Sequence, residues 1–371
     1  MRVQFNAVLK DVTRKGTKIQ TDEYLTEGKF PIIDQGNNDI AGYRDDETGL
    51  FTDVPAILFG DHTRIVKYIT EPFFLGADGV KVLVPIDRTM NCKYLYYQLL
   101  SAKIPDTGYN RHFKWVKELE FQLPSRNEQD DVVKRLDKLC VVISARQQQL
   151  AKLDELVKAR FVEMFGDPFL NLMNWNKIKI ANAVTVEPQN GMYKPQSNYV
   201  TDGTGTPILR IDSFYDGEVT DFSLLKRLVC NEEEKQKYAL REDDIIINRV
   251  NSIEYLGKCA RITGLKEETV YESNMMRMHF DSKRFNPIYI IQLLCSQFIY
   301  RQIVNHAKKA VNQASINQKD VLDFDIYEPP IELQNTFGGF VKQTEQLKLP
   351  IQKSIEQMET LKKALMQQYF G

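Results

Sequence analysis

Two stretches decide the architecture of this chain: residues 153–166 read LDELVKARFVEMFG, and residues 358–371 read METLKKALMQQYFG. Both end in Phe-Gly and close a long run in which apolar residues recur at helical spacing. Outward from them, residues 109–166 align with residues 314–371 at a constant offset of 205 without a gap, and 10 of the 58 positions are identical. The chain therefore contains an internal repeat, which indicates two related halves.

The order of features in each copy supports the repeat more strongly than the identities do. Each copy begins with a Lys-led alternating segment, KWVKELEFQLP at residues 114–124 and KDVLDFDIYEPP at residues 319–330. A Pro and a Gln then open the helical run. Each copy is therefore predicted to hold a short strand followed by a long helix.

Each helical run carries an apolar seam with a seven-residue period, the pattern of helices that pair lengthwise. The predicted seam residues are Leu136, Leu139, Ile143, Leu150, Leu153 and Val157 in the first run, and Val341, Ile351, Ile355, Met358 and Leu365 in the second. A helix over residues 129–163 would be about 52 Å long at about 1.5 Å per residue. Two matched seams can pack on each other, and such a rod can hold two domains apart.

Two features leave this interpretation open. Each seam can instead pack on its own globular domain, as the apolar stripe of a surface helix usually does. Pro350 lies inside the second run, where it lacks the N–H that an interior helical residue donates. We therefore expect the second helix to be bent or divided into two parts.

The predicted fold class is α+β, with two globular domains that each feed one long helix. Strand-like segments alternate with turn signals in both domains. The predicted boundaries are 1–124 for the first domain, 125–168 for the first helix, 169–330 for the second domain and 331–371 for the second helix.

Composition restricts the classes of function. With 49 basic and 50 acidic residues the net charge is −1, so any binding of nucleic acid depends on local patches. The apolar runs are shorter than the roughly 20 residues of a membrane-spanning helix, and we expect a cytoplasmic protein. No cysteine or histidine spacing fits a zinc site, and neither a GxxxxGK[ST] loop nor a methyltransferase motif occurs. We expect no metal, no cofactor and no catalytic centre.

Four features together carry a family resemblance. They are LDELVKARFVEMFGDP at residues 153–168, METLKKALMQQYFG at the end, the Pro and Gln that open each helix, and TPILRIDSFYDGEV at residues 206–219. In order and spacing they resemble the DNA-specificity subunits of type I restriction-modification enzymes, over nearly the full chain. The first domain departs from the family's LRI-type segment and has FPIIDQGNNDIAGY at residues 30–43 instead.

The resemblance implies a fold and a set of partners. Two target recognition domains would each read one half of a bipartite site in double-stranded DNA, and the repeated helices would form an antiparallel coiled coil that sets their separation. Members of the family have no catalytic centre. They bind two methyltransferase subunits and, with translocase-nuclease subunits, complete the restriction enzyme.

Side chains in the turns of each domain are the candidate DNA contacts, because Arg reads guanine, Asn and Gln read adenine, and Lys, Tyr and Ser often hold phosphates. In the first domain they are Gln35, Asn37, Asn38, His62, Arg64, Tyr109, Asn110, Arg111, His112 and Lys114. In the second domain they are Arg249, Asn251, Ser252, Lys308, Lys309, Asn312, Gln313 and Ser315. Because the chain is nearly neutral, we expect the chain alone to bind DNA weakly, with the methyltransferase subunits clamping the DNA.

Two other functions compete with DNA recognition. The chain can be a scaffold whose coiled coil binds partner helices without any DNA. It can also be an enzyme with a metal-dependent nuclease site, for which Asp78 with Lys81, or the acidic run at residues 242–244, supplies residues of the required kind. Basic and amide side chains gathered on one side of both domains would favour DNA recognition over the scaffold.

Overall fold

The structure, a computed structural model, describes residues 1–76, 79–215, 217–219, 221–311 and 313–371. It divides the chain into two compact units. The first unit comprises residues 1–149 and 351–371, and the second comprises residues 150–350. The boundary between the units therefore cuts through both long helices, whereas the predicted ranges give each long helix a range of its own.

Helices and strands alternate in both units, which confirms the α+β class. The helices are α1 (Cys92–Ser101), α2 (Phe113–Lys117), α3 (Arg126–Phe165), α4 (Glu232–Tyr238), α5 (Pro287–Leu294), α6 (Gln297–His306), α7 (Gln318–Leu322) and α8 (Ile331–Phe370). The strands of the first unit are β1 (Arg2–Gln4), β2 (Leu9–Asp11), β3 (Phe30–Ile33), β4 (Gly42–Arg44), β5 (Ala56–Gly60), β6 (Val66–Ile69), β7 (Phe74–Leu75), β8 (Val80–Pro85) and β9 (Glu120–Gln122).

The second unit contributes the remaining strands of the described chain. They are β10 (Asn176–Lys179), β11 (Val184–Asn190), β12 (Tyr199–Val200), β13 (Thr206–Leu209), β14 (Phe214–Tyr215), β15 (Gly217–Val219), β16 (Lys226–Leu228), β17 (Ile245–Asn248), β18 (Val250–Asn251), β19 (Cys259–Arg261), β20 (Val270–Tyr271), β21 (Met275–Phe280), β22 (Lys308–Lys309), β23 (Ala314–Ser315) and β24 (Asp325–Glu328).

The first unit is built around the buried strand β5, in a sheet of order β2-β8-β5-β6. All five residues of β5 are buried, and alternate residues enter two separate clusters: Ile57 and Phe59 pack towards α1, and Ala56 and Leu58 pack on the opposite face. A strand covered on both faces needs apolar residues at every position, which explains the run AILF. A second sheet has the order β4-β3-β7.

The second unit repeats this plan with more strands. Its main sheet has the order β11-β21-β17-β19-β15-β14, with β17 buried along its whole length, and its second sheet has the order β12-β16-β13-β20. Strand β3 pairs in parallel with β7, and β13 pairs in parallel with β20. The segments FPII and TPIL therefore occupy corresponding strands. Their sequences differ at the C-terminal end, where the second domain has the LRI segment at residues 209–211 and the first domain has IDQ at residues 33–35.

The internal repeat predicted from the sequence has a structural counterpart. At the offset of 205, α2 corresponds to α7, β9 begins where β24 begins, and α3 corresponds residue for residue to α8. Strand β9 pairs with the N-terminal strand β1, and β24 pairs with β10. Each unit thus pairs the strand before its long helix with the strand that opens the unit.

Both long helices are single elements of 40 residues. Of the two outcomes expected at Pro350, a bent helix or a divided one, division does not occur, because Pro350 lies inside a continuous helix. Proline removes one helical hydrogen bond, to the carbonyl four residues earlier. The neighbouring Thr344 and Ile351 are buried, and this packing holds the helix together across the missing bond.

Within each unit the two long helices pack on the domain and on each other. In the first unit Leu136 of α3 shares a cluster with Tyr94 of α1 and Phe370 of α8, and the rings of Tyr94 and Phe370 lie 5.3 Å apart. In the second unit the ring of Phe161 in α3 lies 5.5 Å from that of Phe337 in α8. Each long helix therefore packs on the domain of the unit and also contacts the other long helix within that unit.

The apolar seam lies on the packed side of the helices. Leu136, Ile143, Val157 and Ile351 are buried, and the remaining predicted seam residues are half-buried: Leu139, Leu150, Leu153, Val341, Ile355, Met358 and Leu365. Lys348 interrupts the seam, and its ammonium lies 2.5 Å from a carboxylate oxygen of Asp154. In the part of the chain that the structure describes, no helix combines the length and the apolar character needed to cross a membrane.

Candidate nucleic-acid interface

Three loops of the first unit meet at one edge, which we call the first edge. They are residues 34–41 after β3, residues 61–65 after β5 and residues 105–112 before α2. Contacts between the loops join Gln35 to His62, His62 to Tyr109, and Arg64 to Asp106. The structure therefore brings together candidate residues that are more than 70 positions apart in the sequence.

His112 and Asp61 form the base of the first edge. The backbone carbonyl of Asp61 accepts a hydrogen bond from the backbone N–H of His112 at 2.8 Å and lies 2.9 Å from the ring Nδ1. The Asp61 carboxylate accepts from the backbone N–H of Phe113, the first residue of α2, at 2.7 Å. His112 is fully buried, so in this structure its ring holds the loop in place and is not presented to DNA as expected.

Gln35, His62 and Tyr109 form a layer above this base. The side-chain oxygen of Gln35 accepts from the backbone N–H of His62 at 3.1 Å. The ring of His62 stacks on that of Tyr109, with centroids 4.7 Å apart and an interplanar angle of 8°. Gly79 has φ +92°, and a Cβ there would lie 2.6 Å from Gln35 and 2.7 Å from His62, so only glycine permits this close approach.

The loop after β3 is fixed from below by a lysine. Lys67 is buried, its ammonium donates to the backbone carbonyl of Asn38, and it lies 3.8 Å from the carboxylate of Asp34. Burial lowers the pKa of Lys67, and the neighbouring carboxylates offset part of that effect. Asn37 and Asn38 are exposed at the top of the loop. Their side chains are thus presented on an anchored backbone.

Charge at the first edge is partly neutralised within the unit. Arg64 donates to the carboxylate of Asp106 at 2.6 Å. The pKa of Asp106 is lowered, first by the backbone N–H of Gly108 and then by Arg64. Arg111 and Lys114 are exposed, and neither takes part in an ion pair within the described chain. Among the described residues these two cations therefore carry positive charge that no ion pair neutralises, and the ammonium of Lys114 lies 4.8 Å from the ring centroid of Trp115.

The second unit gathers its candidate residues on a small three-stranded sheet, which we call the second edge. Its order is β18-β23-β22, and the register pairs Val250 with Ser315 and Lys308 with Ser315. The sheet places Asn251 and Ser252 beside the hairpin that contains Lys308, Lys309, Gln313 and Ser315. Asn312, also predicted as a contact, lies outside the described residues.

Exposure differs among the residues of the second edge. Lys308, Lys309 and Gln313 are exposed. Arg249 is half-buried and donates from its guanidinium to the backbone carbonyl of Ser273 at 3.1 Å. Its backbone carbonyl accepts from Ile316, so Arg249 also ties the end of β17 to the segment after the hairpin. The side-chain oxygen of Asn251 accepts from the backbone N–H of Ser252 at 2.8 Å.

The acidic run at residues 242–244 is occupied by contacts within the second unit. Asp244 is buried, with one carboxylate oxygen 3.0 Å from His279 and the other 3.6 Å from Arg277. Asp243 lies 3.5 Å from Arg261. Asp78 is outside the described residues. Over the described ranges, no group of three or more His, Cys, Asp or Glu side chains has a geometry suited to a metal ion.

Sequence reasoning missed the residues that support the edges. Asp61, Lys67 and Asp106 bind loop backbones or a neighbouring Arg, and each looks like an ordinary charged residue in the sequence. Val311, at the tip of the hairpin in the second edge, was missed because it is apolar. One signal in the sequence could have pointed to Asp61 as a supporting residue, because it directly follows the buried strand β5.

Comparison with known proteins gives these edges a context. Residues 6–155 match the family model described as type I restriction modification DNA specificity domain. A type I restriction enzyme MjaX specificity subunit from Methanocaldococcus jannaschii is 31% identical over 183 residues, which cover 49% of this chain and 42% of that protein. The StySPI specificity subunit from Salmonella potsdam is 22% identical over 242 residues, or 62% of this chain and 50% of that protein. The chain spans about half the length of these curated relatives.

Solved structures share the fold over the entire chain. The S subunit of a type I restriction-modification system from M. genitalium has a TM-score of 0.61 at 16% identity, covering 100% of this chain and 96% of that one. A structure of the type I R-M system reported for its assembly and conformational transition has a TM-score of 0.54 at 14% identity, covering 100% of this chain and 97% of that one. Residues 6–155 are therefore similar to the type I restriction modification DNA specificity domain, and the chain shares its fold with the S subunit from M. genitalium.

Proposed function

We propose that this chain is the sequence-specific DNA recognition subunit of a type I restriction-modification system, and that each edge reads one half of a bipartite site in double-stranded DNA. The observation that carries the proposal is the gathering of amide, basic and aromatic side chains at corresponding places in the two units. Each edge contains the loop that precedes a short helix, α2 or α7. Amide and Arg side chains are the commonest readers of base edges, and Lys binds phosphates.

The two repeated helices would set the separation of the half-sites. A helix of 40 residues is about 60 Å long. Because α3 and α8 each contribute to both units and contact each other within each unit, we propose that they form an antiparallel coiled coil. The spacer between the half-sites would then follow from helix length. In this scheme residues 1–124 and 169–330 are the two target recognition domains.

The proposed partners are double-stranded DNA, two methyltransferase subunits and, through the complex, translocase-nuclease subunits. The chain would contribute recognition and docking in the cytoplasm, and the catalytic centres would belong to its partners. No cofactor is proposed. The near-neutral charge of the chain supports a division of labour in which the methyltransferase subunits supply much of the phosphate contact.

A scaffold without a DNA role is the second candidate. A scaffold needs the paired helices but has no need for clustered base-reading side chains at a unit's edge. The convergence of Gln35, His62, Arg64 and Tyr109 from three separate loops favours DNA recognition. We therefore place the scaffold second.

Methylome sequencing tests the proposed function. Cells expressing this chain with its methyltransferase subunit are compared with cells expressing the methyltransferase alone. The expected result is a bipartite methylated motif with a fixed gap that appears only when the chain is present. Absence of new methylation in cells that contain the assembled complex would count against DNA recognition and for the scaffold.

A further inference from the structure

The two most exposed large apolar side chains of the described residues lie at the two edges. Val311 is 98% exposed and Tyr109 is 89% exposed. Tyr109 lies in the loop before α2, and Val311 lies at the tip of the β22–β23 hairpin, in the segment that precedes α7. A single exposed apolar residue on a protein surface is ordinary. Two such residues in the segments that precede α2 and α7, each among the proposed base-reading side chains, call for a common explanation.

The hairpin that carries Val311 is formed by two short paired strands. Strands β22 and β23 pair through Lys308 with Ser315 and Lys309 with Ala314. At the tip, the backbone N–H of Ala310 donates to the carbonyl of Gln313 at 2.7 Å. On its other side β23 pairs with β18. Val311 is therefore held at the end of a supported ribbon, with no buried surface of its own.

The charged residues beside Val311 indicate the kind of partner to which the β22–β23 hairpin can bind. Lys308 and Lys309 are exposed, and neither forms an ion pair within the described chain. Two ammonium groups without ion pairs favour binding to a polyanion. The apolar side chain beside them favours a polyanion that also exposes an apolar group close to its charges. The major groove of B-DNA admits a two-stranded β-ribbon, and its only apolar feature at base-pair level is the C5 methyl group of thymine.

We propose that Val311 reads a thymine through contact with its C5 methyl group, while Lys308 and Lys309 bind the flanking phosphates. This inference rests on the proposed function and adds a base identity to it. Val311 would select thymine because its side chain gains buried apolar surface only when the methyl group is present. Tyr109, preorganised by its stack on His62, would supply the corresponding apolar contact at the first edge.

Removal of single methyl groups from the DNA tests the inference. The chain, assembled with its methyltransferase subunits, is titrated with duplexes carrying the methylome-defined site, in which each thymine is replaced in turn by deoxyuridine. The protein variants are Val311→Ala and, as a matched control, Leu224→Ala. Leu224 is also strongly exposed, at 80%, and lies outside the hairpin of the same unit.

The wild-type complex should bind about fourfold more weakly when one particular thymine loses its methyl group, the effect of burying about one methyl group. Val311→Ala should bind the unmodified duplex about fourfold more weakly and show no further loss at that thymine. Leu224→Ala should behave as the wild type. Lys308→Ala should weaken binding to thymine and deoxyuridine duplexes equally.

Two results would overturn the inference. One is a deoxyuridine profile that is the same for the wild type and for Val311→Ala. The other is a site in which one half contains only G·C pairs and in which Val311→Ala changes binding to neither half. In both cases the methylome still defines a site, so the proposed function stands while the role of Val311 fails. If the wild-type complex produces no methylated motif, the proposed function fails and the inference fails with it.

Discussion

The side-chain oxygen of Gln334 accepts a hydrogen bond from the backbone N–H of Asn286 at 2.9 Å, and Gln129 makes the same bond to Asn91, also at 2.9 Å. Each glutamine also donates to the carbonyl of the proline five residues before it. Asn286 and Asn91 are the capping residues of α5 and α1. The glutamine that opens each long helix therefore fastens that helix to the domain beneath it.

Gln334→Ala should destabilise the second unit. Gln334 is fully buried, and its loss leaves the N–H of Asn286 and the carbonyl of Pro329 without partners, at a cost of about 2–4 kcal/mol. Chemical unfolding can be followed by the fluorescence of Trp175, after replacement of Trp115, the other of the two tryptophans. Gln352→Ala removes an exposed glutamine of the same helix and should leave the unfolding midpoint unchanged. Equal midpoints for the two variants would contradict the fastening role.

His112→Ala and Arg111→Ala should separate support from contact at the first edge. His112 is buried against Asp61, so its loss should lower the free energy of unfolding by about 2–4 kcal/mol and disorder the loop. Arg111 is exposed, so its loss should leave stability unchanged and weaken DNA binding. Thermal unfolding and DNA titration of both variants provide the readouts. A stable His112→Ala variant with normal DNA binding would refute the assignment.

Asp106→Asn should strengthen the electrostatic part of DNA binding. The substitution frees Arg64 from its ion pair, while the remaining side-chain oxygen can still accept from the N–H of Gly108. The slope of log affinity against log salt concentration should become steeper by about one unit. Asp202→Asn is the matched control, because Asp202 accepts from Thr204 in a similar exposed turn. An unchanged slope would show that Arg64 does not reach the DNA.

Glu328 should make the stability of the second unit depend on acid pH. Nε of Arg284 donates to its carboxylate at 2.7 Å, and this bond lowers the pKa of Glu328 in the folded state. A lowered folded pKa gives a stabilisation that is complete above the unfolded pKa of about 4.3 and is lost as the pH falls through the folded pKa. Glu328→Gln should therefore be less stable than wild type at pH 7, and the difference should shrink below about pH 4.

Glu359→Gln provides the comparison for this pH dependence. Glu359 is exposed on α8, and its replacement should leave the unfolding curve unchanged at both pH values. Thermal unfolding of the three proteins at pH 7 and at pH 3.5 measures the effect. A difference between wild type and Glu328→Gln that persists unchanged at pH 3.5 would contradict the ion pair as its source.

The helices and the repeat were predictable because helical periodicity is local. The apolar spacing placed the seam residues on the packed side and located both long helices to within a few positions of their ends. Pro350 left a divided helix open as an expectation, because tertiary packing on both sides of a proline is not visible in a local sequence pattern. The candidate residues of the first edge lie in the connections between elements, where turn residues are a local signal, whereas Asn251, Lys308, Lys309 and Ser315 of the second edge lie in short strands that were not predicted.

The residues that support the edges were not predictable, because their contacts join segments that are far apart in the sequence. His112 looks like an exposed loop residue, yet its burial depends on Asp61, 51 positions earlier. Val311 carried no signal at all, because its exposure follows from the pairing of β18 with β23 across more than 60 residues. Contacts between distant segments decide which polar residues hold a loop and which residues the loop presents.

The central claim is that each unit reads its own half of the DNA site. The most direct measurement compares the methylomes produced by the wild-type chain, by a first-edge variant combining Asn37→Ala with Arg111→Ala, and by a second-edge variant combining Asn251→Ala with Gln313→Ala, each expressed with the methyltransferase subunit. We predict that each variant relaxes base preference in one half of the motif, a different half for each, and preserves the other half and the gap. Relaxation of both halves by either variant, or of the same half by both, would contradict the claim.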